Sequence, residues 1–179
     1  MESQQNIKIF ITDLSYSNIS FERGGSLLEF NQQLANYIIL DNLQVVNIYQ
    51  GYISIEAANK SRLTRKTKVQ IQNSKFDTIN AGFFSLLILN EGALLNIMNS
   101  TFNQVSSLEE GAIIFADYQE TETNIYSSSF TNNTSVKGSL FNIKDSSVVR
   151  CYNCQMVANF AIISGLVYVS DDGFFEFYG

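Results

Sequence analysis

The sequence of 179 residues has no histidine, no tryptophan and no proline, and it has only two cysteines. Without histidine, the Ser-His-Asp and Cys-His nucleophile systems, histidine-based zinc sites and the usual acid–base group at neutral pH are excluded. Charged residues make up 16% of the chain and hydrophobic residues 45%, which excludes a disordered tail and predicts a folded body. No proline-rich or glycine/serine-rich linker divides the chain, so we expect a single domain over residues 1–179.

Basic residues are the minority, with 11 against 17 acidic residues and a net charge of −6. This balance argues against a phosphate-binding surface, so we expect no nucleic acid partner. The longest apolar runs, residues 83–89 and 160–169, are far shorter than the roughly 20 residues that span a bilayer. We therefore expect no membrane insertion. Residues 1–5 are polar and show no signal peptide pattern.

A six-residue segment recurs six times, beginning at positions 11, 40, 71, 97, 125 and 151, with a mean interval of 28 residues. The clearest copies read IQNSKF, IMNSTF, IYSSSF and CYNCQM, and the weaker ones read ITDLSY and LDNLQV. A glycine that opens an apolar run follows each copy, at Gly25, Gly51, Gly82, Gly111, Gly138 and Gly165. Recurrence of this kind indicates a repeat architecture.

Within each repeat, apolar and polar residues alternate over short stretches, which is the period of a β-strand. No long stretch shows a capped helical period. These features predict an all-β fold, a right-handed parallel β-helix (solenoid) of about six coils with three short strands per coil. A leucine-rich repeat fits only residues 40–48, and an ordinary β-sandwich stays open as the alternative.

In a solenoid, equivalent residues of successive coils stack above one another. The first position of each copy is predicted to form one inward ladder, Ile11, Leu40, Ile71, Ile97, Ile125 and Cys151. The sixth position forms a second ladder, Tyr16, Val45, Phe76, Phe102, Phe130 and Met156. Between the ladders a polar column falls at a bend, where left-handed backbone is tolerated: Asp13, Asn42, Asn73, Asn99, Ser127 and Asn153. We expect Asn99 to be inaccessible there, and the final FFEFYG to begin a seventh coil.

The N-S-x-F segments, the bend asparagines and the glycine-apolar strands resemble the pectin-lyase-like superfamily of right-handed parallel β-helices. They are similar to repeat-rich surface proteins of ciliates and to bacterial polymorphic outer-membrane protein repeats, in which F-x-N-N and G-G-A-I are typical. Here FTNN occupies residues 130–133 and GAI occupies residues 111–113. The resemblance runs from about Asn6 to the end of the sequence. It implies a β-helical fold and a location outside the cell.

Enzymes of this superfamily carry their catalytic groups on the outer face of one sheet. Only one carboxylate, Asp41, occurs among the twelve outward positions that flank the first ladder. Glycosidic hydrolysis needs two carboxylates, and calcium-assisted lyase chemistry needs several acids. We therefore predict a protein that is not an enzyme, with no catalytic residue, no bound metal and no cofactor. Asp171 and Asp172, before Gly173, fit a turn, and a carbohydrate-active lyase or hydrolase is the alternative.

Two pairs of side chains are candidate sites. Tyr126 and Tyr152 occupy equivalent outward positions about 4.8 Å apart, as a platform for a glycan or a protein partner; packing between coils explains them equally well. Cys151 and Cys154 form the one CxxC motif. Two thiols cannot complete a zinc site, so they are either buried thiols or a local disulfide across the bend.

Five N-x-Ser/Thr sequons occur, and Asn59, Asn18 and Asn132 are the candidates for N-glycosylation. Asn59 adjoins residues 60–68, which hold five of the eleven basic residues. This basic segment is either a solvated loop or a docking patch for an acidic partner.

The sequence therefore predicts a non-catalytic structural or interaction module: a rigid spacer, an adhesive surface or a filament building block, at the cell surface or outside the cell. We expect it to be a section of a longer solenoid or assembly, whose open ends bind protein partners or further copies. A second hypothesis is an accessory subunit of a large intracellular assembly.

Overall fold

The chain forms a parallel β-solenoid of about six turns in the computed structural model, which describes residues 8–32, 37–57, 68–90 and 92–179. These ranges contain nineteen strands and no helix, and hence no helix that could cross a membrane. The strands are β1 (Lys8–Thr12), β2 (Ser15–Gln32), β3 (Tyr37–Asp41), β4 (Gln44–Ala57), β5 (Lys68–Gln72), β6 (Lys75–Asn80), β7 (Leu87–Asn90), β8 (Leu94–Met98), β9 (Thr101–Ser106), β10 (Ile114–Ala116), β11 (Glu122–Tyr126), β12 (Ser129–Thr131), β13 (Thr134–Lys137), β14 (Phe141–Ile143), β15 (Val148–Tyr152), β16 (Gln155–Val157), β17 (Phe160–Ile163), β18 (Val167–Val169) and β19 (Phe174–Tyr178).

The strands stack on three sides of each turn, and all the pairs between described strands are parallel. The first face is a sheet in the order β1-β3-β5-β8-β11-β15-β19. The second face contains the first halves of β2 and β4, then β6, β9, β12, β13, β16 and β17. The third face contains the second halves of β2 and β4, then β7, β10, β14 and β18. We number the coils from 1 to 6 by their first-face strands β1 to β15, and β19 begins a seventh coil, as predicted.

Both predicted ladders are confirmed by the register. Ile71 pairs with Ile97, which pairs with Ile125, and the first ladder ends with Phe177 above Cys151. In the second ladder, the Phe76 and Phe102 rings stack at 4.8 Å and the Phe102 and Phe130 rings at 5.1 Å. All three rings are completely buried. This parallel stacking excludes the β-sandwich.

The bend between the first and second faces is confirmed, but the expectation that Asn99 is inaccessible is wrong. All six residues of the polar column have positive φ, between 46° and 56°. The left-handed backbone turns the chain so that the next residue takes the inward position, and the column residue itself is exposed. Asn99 is therefore on the surface. Its neighbour Ser100 is fully buried.

The residue after this bend forms a column of buried hydroxyls in coils 3 to 5, at Ser74, Ser100 and Ser128. The Ser74 amide donates to Ser100 Oγ, and the Ser100 amide donates to Ser128 Oγ, both at 3.2 Å. Each hydroxyl donates to the carbonyl oxygen two residues earlier, at 2.7–2.8 Å. The serines thus satisfy backbone groups that a bend would leave unpaired inside the core.

A second left-handed corner lies within the second face, with φ between 52° and 55° at Asn18, Asn47, Thr78, Gln104, Asn132 and Ala158. The next residue again points inward: Ile48, Ile79 and Val105 in coils 2 to 4, and Asn133 in coil 5. Asn133 Oδ1 accepts from the Val105 amide at 2.9 Å, and its Nδ2 donates to the Phe102 carbonyl at 3.1 Å. A buried asparagine therefore continues an apolar column without losing a hydrogen bond.

Candidate functional site

The predicted tyrosine pair lies on the outer side of the first face and extends to a third ring. The Tyr126 and Tyr152 rings stack at 4.9 Å with 8° between their planes, and Tyr152 and Tyr178 stack at 4.8 Å with 4°. Because each ring covers the face of its neighbour, the surface presents mainly ring edges and hydroxyls. That a glycan or a protein binds these tyrosines stays a prediction. A ligand would contact the ring edges and form hydrogen bonds with the hydroxyls.

A charged row runs beside these rings. Arg150 Nη1 lies 2.7 Å from Glu122 Oε1, and Arg150 Nε lies 2.5 Å from Glu176 Oε2. The Arg150 hydrogen bond lowers the pKa of Glu176, and the Tyr178 hydroxyl contributes in the same direction. Its hydrogen bond to Glu176 raises the pKa of Tyr178. Tyrosine hydroxyls therefore share one surface with a charged row in which a single guanidinium bridges two carboxylates.

Two of the three predicted glycosylation sites are described, and both occupy the second corner. Asn18 and Asn132 are exposed, each with φ of 55°. Asn18 Oδ1 accepts from Asn47 Nδ2 at 3.2 Å, and Asn132 Nδ2 donates weakly to Asn103 Oδ1 at 3.4 Å. Asn59 lies outside the described residues, as do residues 60–67 of the basic segment.

The two cysteines point inward on either side of the first bend in coil 6. Cys151 is completely buried between Ile125 and Phe177, and Cys154 is 8% exposed. They are not joined to each other. The hydrogen bond that the Cys151 thiol donates to Cys154 lowers the pKa of Cys154. The same hydrogen bond, together with burial, raises the pKa of Cys151. The interpretation as buried thiols agrees with this placement.

A groove that we did not predict crosses the third face and has a volume of about 290 Å³. Its lining consists of Phe83, Phe84, Ser85, Ile88, Glu109, Glu110 and Phe115. Phe84 packs against the Tyr52 ring at 4.8 Å, whereas Phe83 is 61% exposed. Adjacent aromatic residues after Gly82 interrupt the alternation of a strand, and this was the available sequence signal.

Glu110, at the side of the groove, is held by two lysines. Its carboxylate lies 3.1 Å from Lys137 Nζ and 2.7 Å from Lys144 Nζ, and it accepts a hydrogen bond from Asn142. Burial acts to raise the pKa of Glu110, but the hydrogen bonds from Lys144 and Lys137 outweigh it and the pKa is lowered. Glu110 is therefore an ionised carboxylate paired with two ammonium groups. This arrangement fits a structural ion pair better than a group that transfers protons.

Three carboxylates on successive coils form a second feature that we missed. The hydrogen bond to Asp117 raises the pKa of Asp145, and the charges of Asp117 and Asp171 add to this effect. The three residues are 28 and 26 apart in sequence, which is the coil interval. The predicted turn at Asp171 and Asp172 is confirmed, with φ of 51° and 60°. Within the described ranges, no three His, Cys, Asp or Glu side chains converge to hold a metal ion.

Comparison with protein-family models, with curated proteins and with solved structures finds no match to this chain. The parallel β-solenoid is therefore established by its own strand register, and the resemblance to the pectin-lyase-like superfamily stays a prediction from the repeated motifs.

Proposed function

We propose that this chain is a non-catalytic structural and interaction module, a rigid β-solenoid that presents an adhesive surface at the cell surface or outside the cell. The stacked core supports the rigid part of this proposal. The phenylalanine ladder and the serine column tie successive coils together by packing and by hydrogen bonds. Such a body keeps surface groups at fixed spacings along its axis.

The observation that carries the adhesive part is an apolar patch on coil 6, formed by Val157, Phe160, Ile162 and Ile163. These side chains are between 56% and 70% exposed. Phe160 pairs with exposed Thr134, and Ile163 pairs with Lys137, so both stand at outward positions of the second face. Phe160 and Ile163 are therefore not inward-facing core residues that are exposed only because no further coil packs on them. Contiguous exposed apolar side chains of this kind are typical of interaction sites.

The neighbouring coil shows what these positions require for folding alone. Coil 5 carries Thr131, Thr134 and Lys137 where coil 6 carries Val157, Phe160 and Ile163, and only Ile162 has an apolar counterpart, Val136. Because polar side chains suffice there for the same backbone, the apolar ones in coil 6 are best explained by a partner. A second copy of the chain, or the next protein of an assembly, fits this patch.

Sedimentation velocity over a range of concentrations tests the proposal. We expect the wild type to associate, and Phe160→Thr with Ile163→Lys, the residues of coil 5, to be monomeric. Phe83→Ser removes an equally exposed ring on the third face and is the matched control, which should associate like the wild type. A wild type that stays monomeric at all concentrations, or a double variant that associates unchanged, contradicts self-assembly through this patch.

The alternative, a carbohydrate-active enzyme, is favoured by one observation. Asp145 hydrogen-bonds to Asp117, which raises the pKa of Asp145, and acid–base catalysis uses neighbouring carboxylates whose surroundings shift their pKa values. Turnover of acidic polysaccharides, lost in Asp145→Asn and kept in the turn variant Asp172→Asn, would support this alternative. Absence of turnover in the wild type leaves the interaction module as the better explanation.

A further inference from the structure

Coil 6 places a thiol where the three preceding coils place a hydroxyl. Cys154 follows Ser74, Ser100 and Ser128 in the buried column after the first bend. The serines are 0–3% exposed and Cys154 is 8% exposed, so Cys154 is the most exposed of these four buried residues. In coils 3 to 5 this column directs a backbone amide at each hydroxyl oxygen, and in coil 6 a sulfur occupies the same position.

Two kinds of contact surround this sulfur. The Cys154 thiol donates to the carbonyl oxygens of Ile125 and Tyr152, both 3.8 Å from Sγ, and the hydrogen bond from Cys151 lowers the pKa of Cys154. The Ser128 amide also acts to lower the pKa of Cys154, at the position equivalent to the Ser100 amide, which donates to Ser128 Oγ in the coil below. Cys151 provides a second donor from the other side of the bend, because its thiol hydrogen-bonds to Cys154 Sγ. Donors directed at sulfur are the arrangement that makes a cysteine reactive, whereas burial among apolar groups alone makes it inert.

The second thiol is already in place as a resolving group. Cys151 and Cys154 are separated by two residues, of which Asn153 has φ of 53° and folds the chain back at the bend. Both side chains are buried, one on each side of this bend. We propose that Cys151 and Cys154 form a reversible dithiol–disulfide site, with Cys154 as the attacking thiol, Cys151 as the resolving thiol and a small external disulfide as the oxidant.

The reaction is an ordinary pair of thiol–disulfide exchanges. Cys154 thiolate attacks one sulfur of a disulfide such as oxidised glutathione, whose S–S bond breaks and releases one glutathione thiolate. Cys151 then loses its proton and attacks Cys154 Sγ in the mixed disulfide, which releases the second glutathione. One glutathione disulfide is reduced to two thiols, the protein gains one disulfide, and the two protein protons end on glutathione.

Intact-mass measurement of the folded protein after treatment with oxidised glutathione, followed by alkylation of the remaining thiols, tests this proposal. We expect the wild type to lose both thiols without retaining glutathione. Cys151→Val, a β-branched aliphatic residue like Ile125 in the coil below, should trap one glutathione on Cys154. Cys154→Ser restores the residue of the three preceding coils, and its Cys151 should react at least about tenfold more slowly than Cys154 does in Cys151→Val.

Urea-unfolded samples of both variants provide the control, because their single thiols should then react at similar rates. Three results would overturn the proposal. The native wild type could keep both thiols over a time in which the unfolded chain is fully oxidised. It could end with two bound glutathiones, or Cys151 in Cys154→Ser could react as fast as Cys154 in Cys151→Val.

Discussion

The middle of the solenoid and its last coil use the same columns with different results. In the second ladder, Phe102 of coil 4 is completely buried, whereas Met156 of coil 6 is half-buried. In the first ladder, Cys151 is completely buried, whereas Phe177 directly above it is 52% exposed. An inward column position is therefore occupied by an apolar side chain in either region, but that side chain is fully buried only where a coil packs on both sides of it. Stability in such a stack is a sum of nearest-neighbour contacts.

Their outer surfaces differ as well. Coil 5 is polar at Thr131, Thr134 and Lys137 of the second face, and coil 6 is apolar at the equivalent Val157, Phe160 and Ile163. Folding requires only the inward positions, so the outward ones are free to serve interaction. The contrast separates what holds the solenoid together from what it offers to a partner, and each prediction below compares matched residues on that basis.

The largest expected effect is the loss of a ring from the middle of the phenylalanine ladder. Phe102→Ala removes a buried side chain stacked on both sides and should destabilise the protein by about 3–5 kcal/mol. Met156→Ala, in the same column of coil 6, should cost about 1–2 kcal/mol because less buried area is lost. Urea unfolding of the two variants measures the difference. Equal losses would contradict the nearest-neighbour account.

The buried asparagines give the next effect. Asn133→Ala leaves the Val105 amide and the Phe102 carbonyl without their side-chain partner and should cost about 2–3 kcal/mol. Asn159→Ala, at the half-buried equivalent in coil 6, should cost about 1 kcal/mol because water can replace its bonds.

Hydrogen exchange at the Val105 amide reports the first of these losses directly. We expect faster exchange in Asn133→Ala and no change in Asn132→Ala, which removes the adjacent exposed amide. Alanine is acceptable at that left-handed corner, because Ala158 occupies the same position in coil 6 with φ of 52°. Unchanged exchange in Asn133→Ala would show that the carboxamide is dispensable.

The sequence was sufficient for the stacked columns because they recur at one interval. The inward ladders, the left-handed bend and the seventh first-face strand all follow from aligning six segments. The exposure of Asn99 did not follow, because periodicity locates a bend without stating which way its side chain points. That direction depends on the φ angle of the bend residue. With φ of 48° at Asn99, the Asn99 side chain faces solvent and the next residue, Ser100, takes the buried position.

Sequence reasoning predicted the candidate site less completely. The CxxC pair and the tyrosines were found because they lie in or beside the aligned segments. The groove at Phe83 was missed because the connection between the second and third faces varies in length and obeys no alternation. The row of Asp117, Asp145 and Asp171 was detectable, since these residues recur at the coil interval, but they lie at a corner rather than beside the first ladder.

A smaller effect concerns pH and the junction of coil 6 with β19. Arg150 holds the pKa of Glu176 below its ordinary value. The ionised pair therefore stabilises the folded state above the unfolded-state pKa of about 4.3, and this contribution is lost as the pH falls through the lower folded-state value.

Arg150→Met should reduce the loss of stability on acidification in this range, because Glu176 loses the largest interaction that lowers its pKa and keeps only the smaller contribution of the Tyr178 hydroxyl. Thermal midpoints between neutral pH and about pH 3 measure the effect against Lys75→Met, which breaks the Lys75–Asp77 pair of coil 3 instead. Acid profiles of wild type and Arg150→Met that run parallel would rule out a role for the pair at this junction.

The smallest effect on stability is expected at the sequons of the second corner, Asn18 and Asn132. Their side chains are exposed, so we expect them to serve as glycosylation sites and to contribute little to folding. In a secreting eukaryotic host we expect Asn132 to carry a glycan that an endoglycosidase removes, detected as a change in mass. Asn132→Gln should reduce that change by the mass of one glycan, whatever Asn18 and Asn59 carry, and alter stability by less than about 0.5 kcal/mol. Glutamine fits the left-handed corner because Gln104 occupies it in coil 4 with φ of 53°. A secreted wild type without this glycan would refute the prediction of glycosylation. A strongly destabilised Asn132→Gln would contradict the second part, because it would mean that the exposed corners stabilise the stack of coils as the buried columns do.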